Sequence, residues 1–218
     1  MNRFLLRRTA LWALLAVGWA AWIGGAEADV PTAADILHRV LTANAGTPDV
    51  IGADVLFKFR VRKPVTAPPD CVFEGTLRLE QGHQVLAVTR QTFGLACWAV
   101  NRFVIGRLFE GREPLERFLS RFDFEVLGEK LVDGSPYYLV QGKARDPRAN
   151  PRGLIGWVDY ARGLVVEGTV EYPWGTLESQ QEYSRIEGAW VLTYQYLYAP
   201  RFGASLEALY SNFRFAPR

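Results

Sequence analysis

From Ile51 onward, apolar and polar residues alternate along most of the chain. Val55, Phe57, Phe59 and Val61 fall on one side of the first run, while Asp54, Lys58, Arg60 and Arg62 fall on the other with Leu56. A period of two marks a half-buried strand, because successive side chains of an extended backbone point to opposite faces. Pro64, Pro68 and Pro69 end this run. Cys71, Phe73, Leu77 and Leu79 then share a face, opposed by Glu74, Thr76, Arg78 and Glu80. Gln81-Gly82-His83 turns the chain into a return strand at 85–91, which predicts a hairpin. Strands resume at Phe124. A turn at Asp133-Gly134 leads to a strand at 137–143, and a proline-containing loop follows at 146–152. Five more runs, 154–159, 164–172, 176–186, 190–198 and 204–215, are separated by turn residues such as Ala161-Arg162-Gly163, Pro173-Trp174-Gly175 and Glu187-Gly188.

Two stretches depart from this period. Over 31–45, Ile36, Val40 and Leu41 recur at helical spacing beside Leu37, with Thr32 placed as N-cap, Asp35 three residues on, and Gly46 as a stop. Residues 92–105 are apolar and ambiguous. Over 106–122, Glu113, Pro114, Leu115, Phe118 and Leu119 predict a short helix, with proline tolerated at its first turn. This segment interrupts the strands and is a candidate lid, with Gly106 and Gly111 as hinges. The resulting fold class is mainly β with helices (α+β), about eleven antiparallel strands in a barrel or sandwich.

The amino terminus changes the picture of compartment. Arg3, Arg7 and Arg8 precede an apolar run at 11–23, and Ala26-Glu27-Ala28 offers small residues where export signals are cut. The run is short for a bilayer span, which needs about 20 residues. The expectation is a signal peptide at 1–28, cleaved before Asp29, ahead of one domain at 29–218. An uncleaved anchor is the alternative, since Trp19, Trp22 and Ile23 lengthen the apolar stretch. Cleavage removes three of the 25 basic residues and one of the 23 acidic ones, leaving 22 of each. A neutral mature chain lacks the basic surface that phosphate binding needs, so no nucleic-acid partner is expected. Arg60, Arg62 and Lys63 form the densest basic cluster, read either as a solvated strand end or as contact with an anionic headgroup or membrane surface. In an exported chain the two cysteines, Cys71 and Cys97, read first as a disulfide worth roughly 3–4 kcal/mol, with two buried thiols as the alternative.

Signals for chemistry are few. The two histidines, His38 and His83, have no metal-ligand spacing. No nucleophile elbow, phosphate loop or dinucleotide fingerprint is present. Asp159 sits on a strand with no evident base beside it. The expectation is a protein without catalytic residues, metal or cofactor. Several strands are instead apolar on both faces: Leu164 and Val166 oppose Val165, and Trp190, Leu192, Tyr194, Tyr196 and Tyr198 share a face opposite Val191 and Leu197. A half-exposed antiparallel sheet needs only one apolar face. The surplus is accounted for by a helix packed inside a curved sheet, by a cavity or a partner, or by a well-filled sandwich core.

Three stretches carry a resemblance. Gly156-Trp157-Val158-Asp159-Tyr160-Ala161-Arg162-Gly163-Leu164-Val165-Val166 is similar to a recurrent tryptophan–apolar–aspartate, short turn, apolar strand hairpin of the periplasmic lipoprotein-carrier superfamily, the LolA/LolB-like proteins. Residues 182–192, ending Gly188-Ala189-Trp190-Val191-Leu192, resemble a later strand of that superfamily, and 34–41 resemble its first helix. The Cys71–Cys97 pair is not part of that pattern. The resemblance implies a strongly curved, half-open antiparallel barrel with a helical lid, in the periplasm, whose concave face receives lipid or lipoprotein acyl chains, with transient membrane contact. The pocket residues expected on this reading are Phe57, Phe59, Leu77, Trp157, Trp190, Leu192, Tyr194 and Tyr196. An envelope protein partner, as for a stress-sensing or interaction module of the same fold, is the alternative.

Overall fold

The computed structural model describes residues 30–45, 50–61, 70–80, 83–102 and 114–216. Contacts divide the chain into two units, Met1–Pro31 and Thr32–Arg218, and the second holds every element below. The expected export signal at 1–28 with its cleavage before Asp29, the breaks at Gly46, Pro64, Pro68 and Pro69, the basic residues Arg62 and Lys63, the Gln81-Gly82 turn and the Gly106 and Gly111 hinges lie outside the described residues.

Helix α1 (Ala33–Ala45) begins as its sequence predicts. The Asp35 N–H donates to Thr32 Oγ1 at 3.2 Å, and the Thr32 N–H donates to Asp35 Oδ2 at 3.0 Å. This reciprocal pair satisfies amides that a helix start otherwise leaves bare. Ile36 and Val40, one turn apart, are buried, and they pack with Tyr138, Val140 and Val158 of the sheet. Gly163 lets the helix approach. A Cβ there would lie 2.6 Å from the Arg39 carbonyl oxygen and 2.9 Å from Ala43 Cβ.

Ten strands form one antiparallel sheet: β1 (Val50–Val61), β2 (Cys71–Glu80), β3 (His83–Gln91), β4 (Phe122–Val132), β5 (Ser135–Ala144), β6 (Gly153–Asp159), β7 (Leu164–Tyr172), β8 (Gly175–Ile186), β9 (Ala189–Ala199) and β10 (Ala204–Phe215). Their order is β3-β2-β1-β10-β9-β8-β7-β6-β5-β4. The sheet is therefore two meanders joined where the first and last strands pair. It is curved and not closed. Its two free edges, β3 and β4, are consecutive in the sequence, so the connection between them joins one edge to the other. That connection carries two short helices, α2 (Leu95–Val100) and α3 (Leu115–Leu119). The strand count among the described residues is ten, where the sequence predicts about eleven. The ambiguous stretch after Thr92 contains a helix at 95–100, not a strand.

Local chemistry sets the hairpins. Asp133-Gly134 and Glu187-Gly188 both have positive φ at each residue (50° and 78°, 50° and 86°), the backbone of a two-residue turn that matches strand twist. Cys71 and Cys97 are bonded, with Cα atoms 5.4 Å apart, and both are buried. The bond ties α2 to β2. A six-residue helix has almost no stability of its own, so this tether and the burial of Cys97 hold it in place.

Candidate functional site

The inner face of the sheet carries two apolar clusters. One is built on β1, β2, β10 and the disulfide: Val55, Phe57, Cys71, Phe73, Leu77, Cys97, Leu206 and Ala208. The other is built on α1 and β5–β6: Ile36, Val40, Tyr138, Val140 and Val158. A cavity of about 540 Å³ lies against both, within the range of about 300–1,000 Å³ typical of sites for small ligands. Leu37, Val40 and Asn44 of α1 line it, as do Leu115, Phe118 and Leu119 of α3, and the long wall comes from β5–β9.

The hollow follows from small residues at inward positions. Gly156 of β6 pairs with Gly168 of β7, and Gly168 pairs with Ser179 of β8. Cross-strand partners share a face, so these three form a row across the sheet with no bulky side chain. Gly142 of β5 makes room in a different way, since a Cβ there would lie 2.6 Å from a ring carbon of Phe124. Along β8 the inward residues are Ser179, Gln181 and Tyr183, while Glu178, Gln180 and Glu182 are exposed. The Ser179 hydroxyl donates to the Gly168 carbonyl at 3.2 Å, and the Tyr183 hydroxyl donates to the Val165 carbonyl at 3.0 Å. The Tyr183 oxygen also lies 2.6 Å from Gln181 Oε1. Burial pushes the Tyr183 phenol up to about 12.

Of the eight pocket residues expected from sequence, Leu77, Trp190 and Leu192 line this cavity. Phe57 is buried in the disulfide-side cluster and Phe59 packs against it, so both fill space on the inner face further along β1. Trp157 sits between the inward Gly156 and Val158, paired with the exposed Glu167, with the Lys130 ammonium 4.0 Å from its ring centre. Tyr194 and Tyr196 correct the sequence reading that places them on one face with Trp190 and Leu192. The register slips between Glu182 and Tyr183: Leu192 pairs with the cavity-lining Tyr183, but Tyr194 pairs with the exposed Glu182. Thr193 is the extra residue, and its hydroxyl donates to the Glu182 carbonyl at 3.3 Å. A bulge of one residue breaks the period and turns the remaining side chains to the other face.

Asp159, the buried strand carboxylate, has a partner that the sequence reading missed. Its Oδ1 accepts the Arg162 backbone N–H at 3.0 Å and its Oδ2 accepts the Arg162 guanidinium. Arg162 also donates to the Tyr137 hydroxyl at 2.9 Å and lies 5.1 Å over the Trp190 ring centre. Burial and the Asp159 hydrogen bond hold the Tyr137 phenol above its usual range. The carboxylate is thus bound up in shaping the β6–β7 turn. The D-x-x-R spacing was the available signal. His38 is exposed on α1, and the side chain of His83 lies outside the described residues. Among the described residues, no group of three or more His, Cys, Asp or Glu is placed to hold a metal ion.

No family model and no curated protein matches the chain. Solved structures do. A LolA superfamily protein from Nitrosomonas europaea superposes with a TM-score of 0.58 at 13% identity, over 87% of this chain and 96% of that one. A DUF1329 family protein from Desulfovibrio piger gives 0.58 at 14% identity, over 85% and 93%. A domain from Vibrio parahaemolyticus assigned to outer membrane lipoprotein sorting gives 0.53 at 12% identity, over 82% and 91%. At these identities the likeness is one of fold: the chain shares its fold with these three proteins.

Proposed function

We propose that this protein is an exported, periplasmic binding protein that carries lipid or lipoprotein acyl chains, without catalysing a reaction on them. One observation carries the reading: a largely aliphatic cavity of about 540 Å³ between α1, α3 and the concave sheet. A fold stabilised only by its core gains from filling such space, because interiors pack to crystal-like density and voids cost free energy. Acyl chains enter by the hydrophobic effect, at about 0.8 kcal/mol per buried methylene. The fold shared with a domain assigned to lipoprotein sorting supports the same reading. α3 supports release as well as binding. It has five residues and contributes Leu115, Phe118 and Leu119 to the cavity wall, so moving it opens the wall.

The test is mass spectrometry of an organic extract of gently purified protein, together with displacement of a fluorescent apolar probe. Acyl lipid in the extract and saturable probe binding are expected. Val170→Trp places an indole in the cavity and is expected to weaken the probe by at least about tenfold, with circular dichroism unchanged. A clean extract with no probe binding overturns the reading.

A second reading, a module that binds an envelope protein partner, is favoured by one surface. Around α2, Phe93 is 100% exposed, Leu95 83% and Trp98 52%. Large apolar side chains grouped at the surface mark contact sites more often than chance exposure does. Pull-down from an envelope extract with the native chain and with a Phe93→Ser, Leu95→Ser variant tests it. A stable protein captured by the first and lost from the second supports this reading, and equal recovery removes it.

A further inference from the structure

The two rims of the sheet end in different turn chemistry. At one rim, β4–β5 and β8–β9 turn on Asp133-Gly134 and Glu187-Gly188, acidic and small residues that suit a tight turn. At the other rim, β7 passes into β8 through Pro173-Trp174, and β9 into β10 through Pro200-Arg201-Phe202. Two large aromatic residues thus occupy turn positions that backbone preference does not give them. The Trp174 ring stacks on Tyr172, with centres 4.8 Å apart, and its centre lies 5.5 Å from that of Phe202. Phe202 remains 51% exposed. The Arg201 guanidinium donates to the Trp174 carbonyl at 2.8 Å and ties the two turns together. The β5–β6 loop joins them, since the Arg152 N–H donates to the carbonyl of Glu171, the residue before Tyr172, at 2.8 Å. Arg148, Arg152 and Arg201 are exposed and form no ion pair among the described residues. The acids beside them are Glu171 and Asp146, whose Oδ1 accepts the Arg148 backbone N–H at 2.8 Å.

We propose that this rim docks on the surface of an anionic lipid bilayer, with Trp174 and Phe202 entering the headgroup boundary and Arg148, Arg152 and Arg201 meeting lipid phosphates. Tryptophan suits that boundary because its ring is apolar and its N–H is polar. A cationic side chain near an anionic membrane adds about fivefold in affinity. Exposed aromatic residues alone fit a protein as well as a bilayer. The arginines beside them, and the acidic turns at the far rim, direct one end of the sheet toward negative charge. The proposal goes beyond the acyl-binding reading and needs no cargo. α3 leads into β4 at this same rim, where Phe122 pairs with Ala144, so docking brings that part of the cavity wall to the bilayer.

Cosedimentation of the purified protein with lipid vesicles tests it. Phosphatidylcholine vesicles containing phosphatidylglycerol are expected to bind at least about fivefold more tightly than phosphatidylcholine alone, with the difference shrinking in high salt. Trp174→Ser with Phe202→Ser is expected to weaken binding at least about tenfold, while Trp174→Tyr with Phe202→Tyr keeps most of it. Arg148→Gln with Arg152→Gln leaves the aromatic turns intact and is expected to weaken binding to the anionic vesicles by about fivefold per charge, so it decides the matter if the serine pair folds poorly. Leu131→Ser removes a side chain that is 70% exposed at the opposite rim and is expected to change nothing. Absence of vesicle binding, equal binding to the two compositions, binding that both the serine and the glutamine variants leave intact, or an equal loss from Leu131→Ser overturns the proposal. None of these residues lines the cavity, so the fluorescent apolar probe is expected to bind every variant. Probe binding without docking overturns this inference alone, and docking without probe binding overturns only the acyl-binding reading.

Discussion

The two ends of one sheet solve opposite problems. On β1, β2 and β10 the inner face carries Phe57 and Phe73, each almost wholly buried, with a disulfide closing the layer above them. On β6, β7 and β8 the corresponding row is Gly156, Gly168 and Ser179, and the space above it is the cavity. Backbone pairing is the same antiparallel ladder throughout. What differs is side-chain volume at inward positions. The filled end supplies folding free energy, at roughly 1.5–3 kcal/mol for each fully buried large side chain. The hollow end forgoes that gain in its own row.

Truncation at the filled end tests this division most strongly. Phe73→Ala is expected to lower stability by about 3–5 kcal/mol, read as a fall in the denaturant midpoint, with probe affinity of the remaining folded protein unchanged. Replacing Cys71 and Cys97 together with alanine is expected to cost about 3.5 kcal/mol, from the entropy of a 26-residue separation in the unfolded chain. Urea melts with and without reductant should reproduce the same difference in the native protein. If either change abolishes binding before it lowers stability, the two ends are not independent.

At the hollow end the effects are smaller. Burial raises the Tyr183 phenol to about 12, above the unfolded value near 10, so the folded state favours the neutral form. Its contribution is complete below about pH 10 and is lost as pH rises through about 12, a loss of about 2–3 kcal/mol. Denaturant midpoints measured across that window should fall, and Tyr183→Phe should flatten part of the fall. Tyr137, Tyr138, Tyr172 and Tyr194 are raised in the same direction and supply the rest. The smallest stability change belongs to Gly168→Ala. Its new methyl lies 3.1 Å from the Ile155 carbonyl oxygen, a tight contact set against the entropy gained, so stability should move by less than about 1 kcal/mol. Probe affinity should nonetheless drop, which a filled-end substitution does not do. A rise in affinity would break the comparison.

Much of the fold was legible in the sequence because its signals are local. The capping box at Thr32 and Asp35, the turns at Asp133-Gly134 and Glu187-Gly188, and the alternation of β1 and β2 each depend on a few adjacent residues. Leu77, Trp190 and Leu192 were legible as cavity residues only by type. Gln181 and Ser179 were not, because E-S-Q-Q-E-Y reads as an ordinary exposed strand until its partners are known.

The sequence by itself determined the order of most strands, the first helix and the positions of most turns, since each follows from backbone preference over a short span. Tertiary structure decided which side of each strand faces inward. The bulge at Thr193 turned Tyr194 and Tyr196 away from the cavity, and the register of β6, β7 and β8 brought Gly156, Gly168 and Ser179 into one row. A side chain's period is written along the chain, but its phase is set across strands, and a single inserted residue is enough to reverse it.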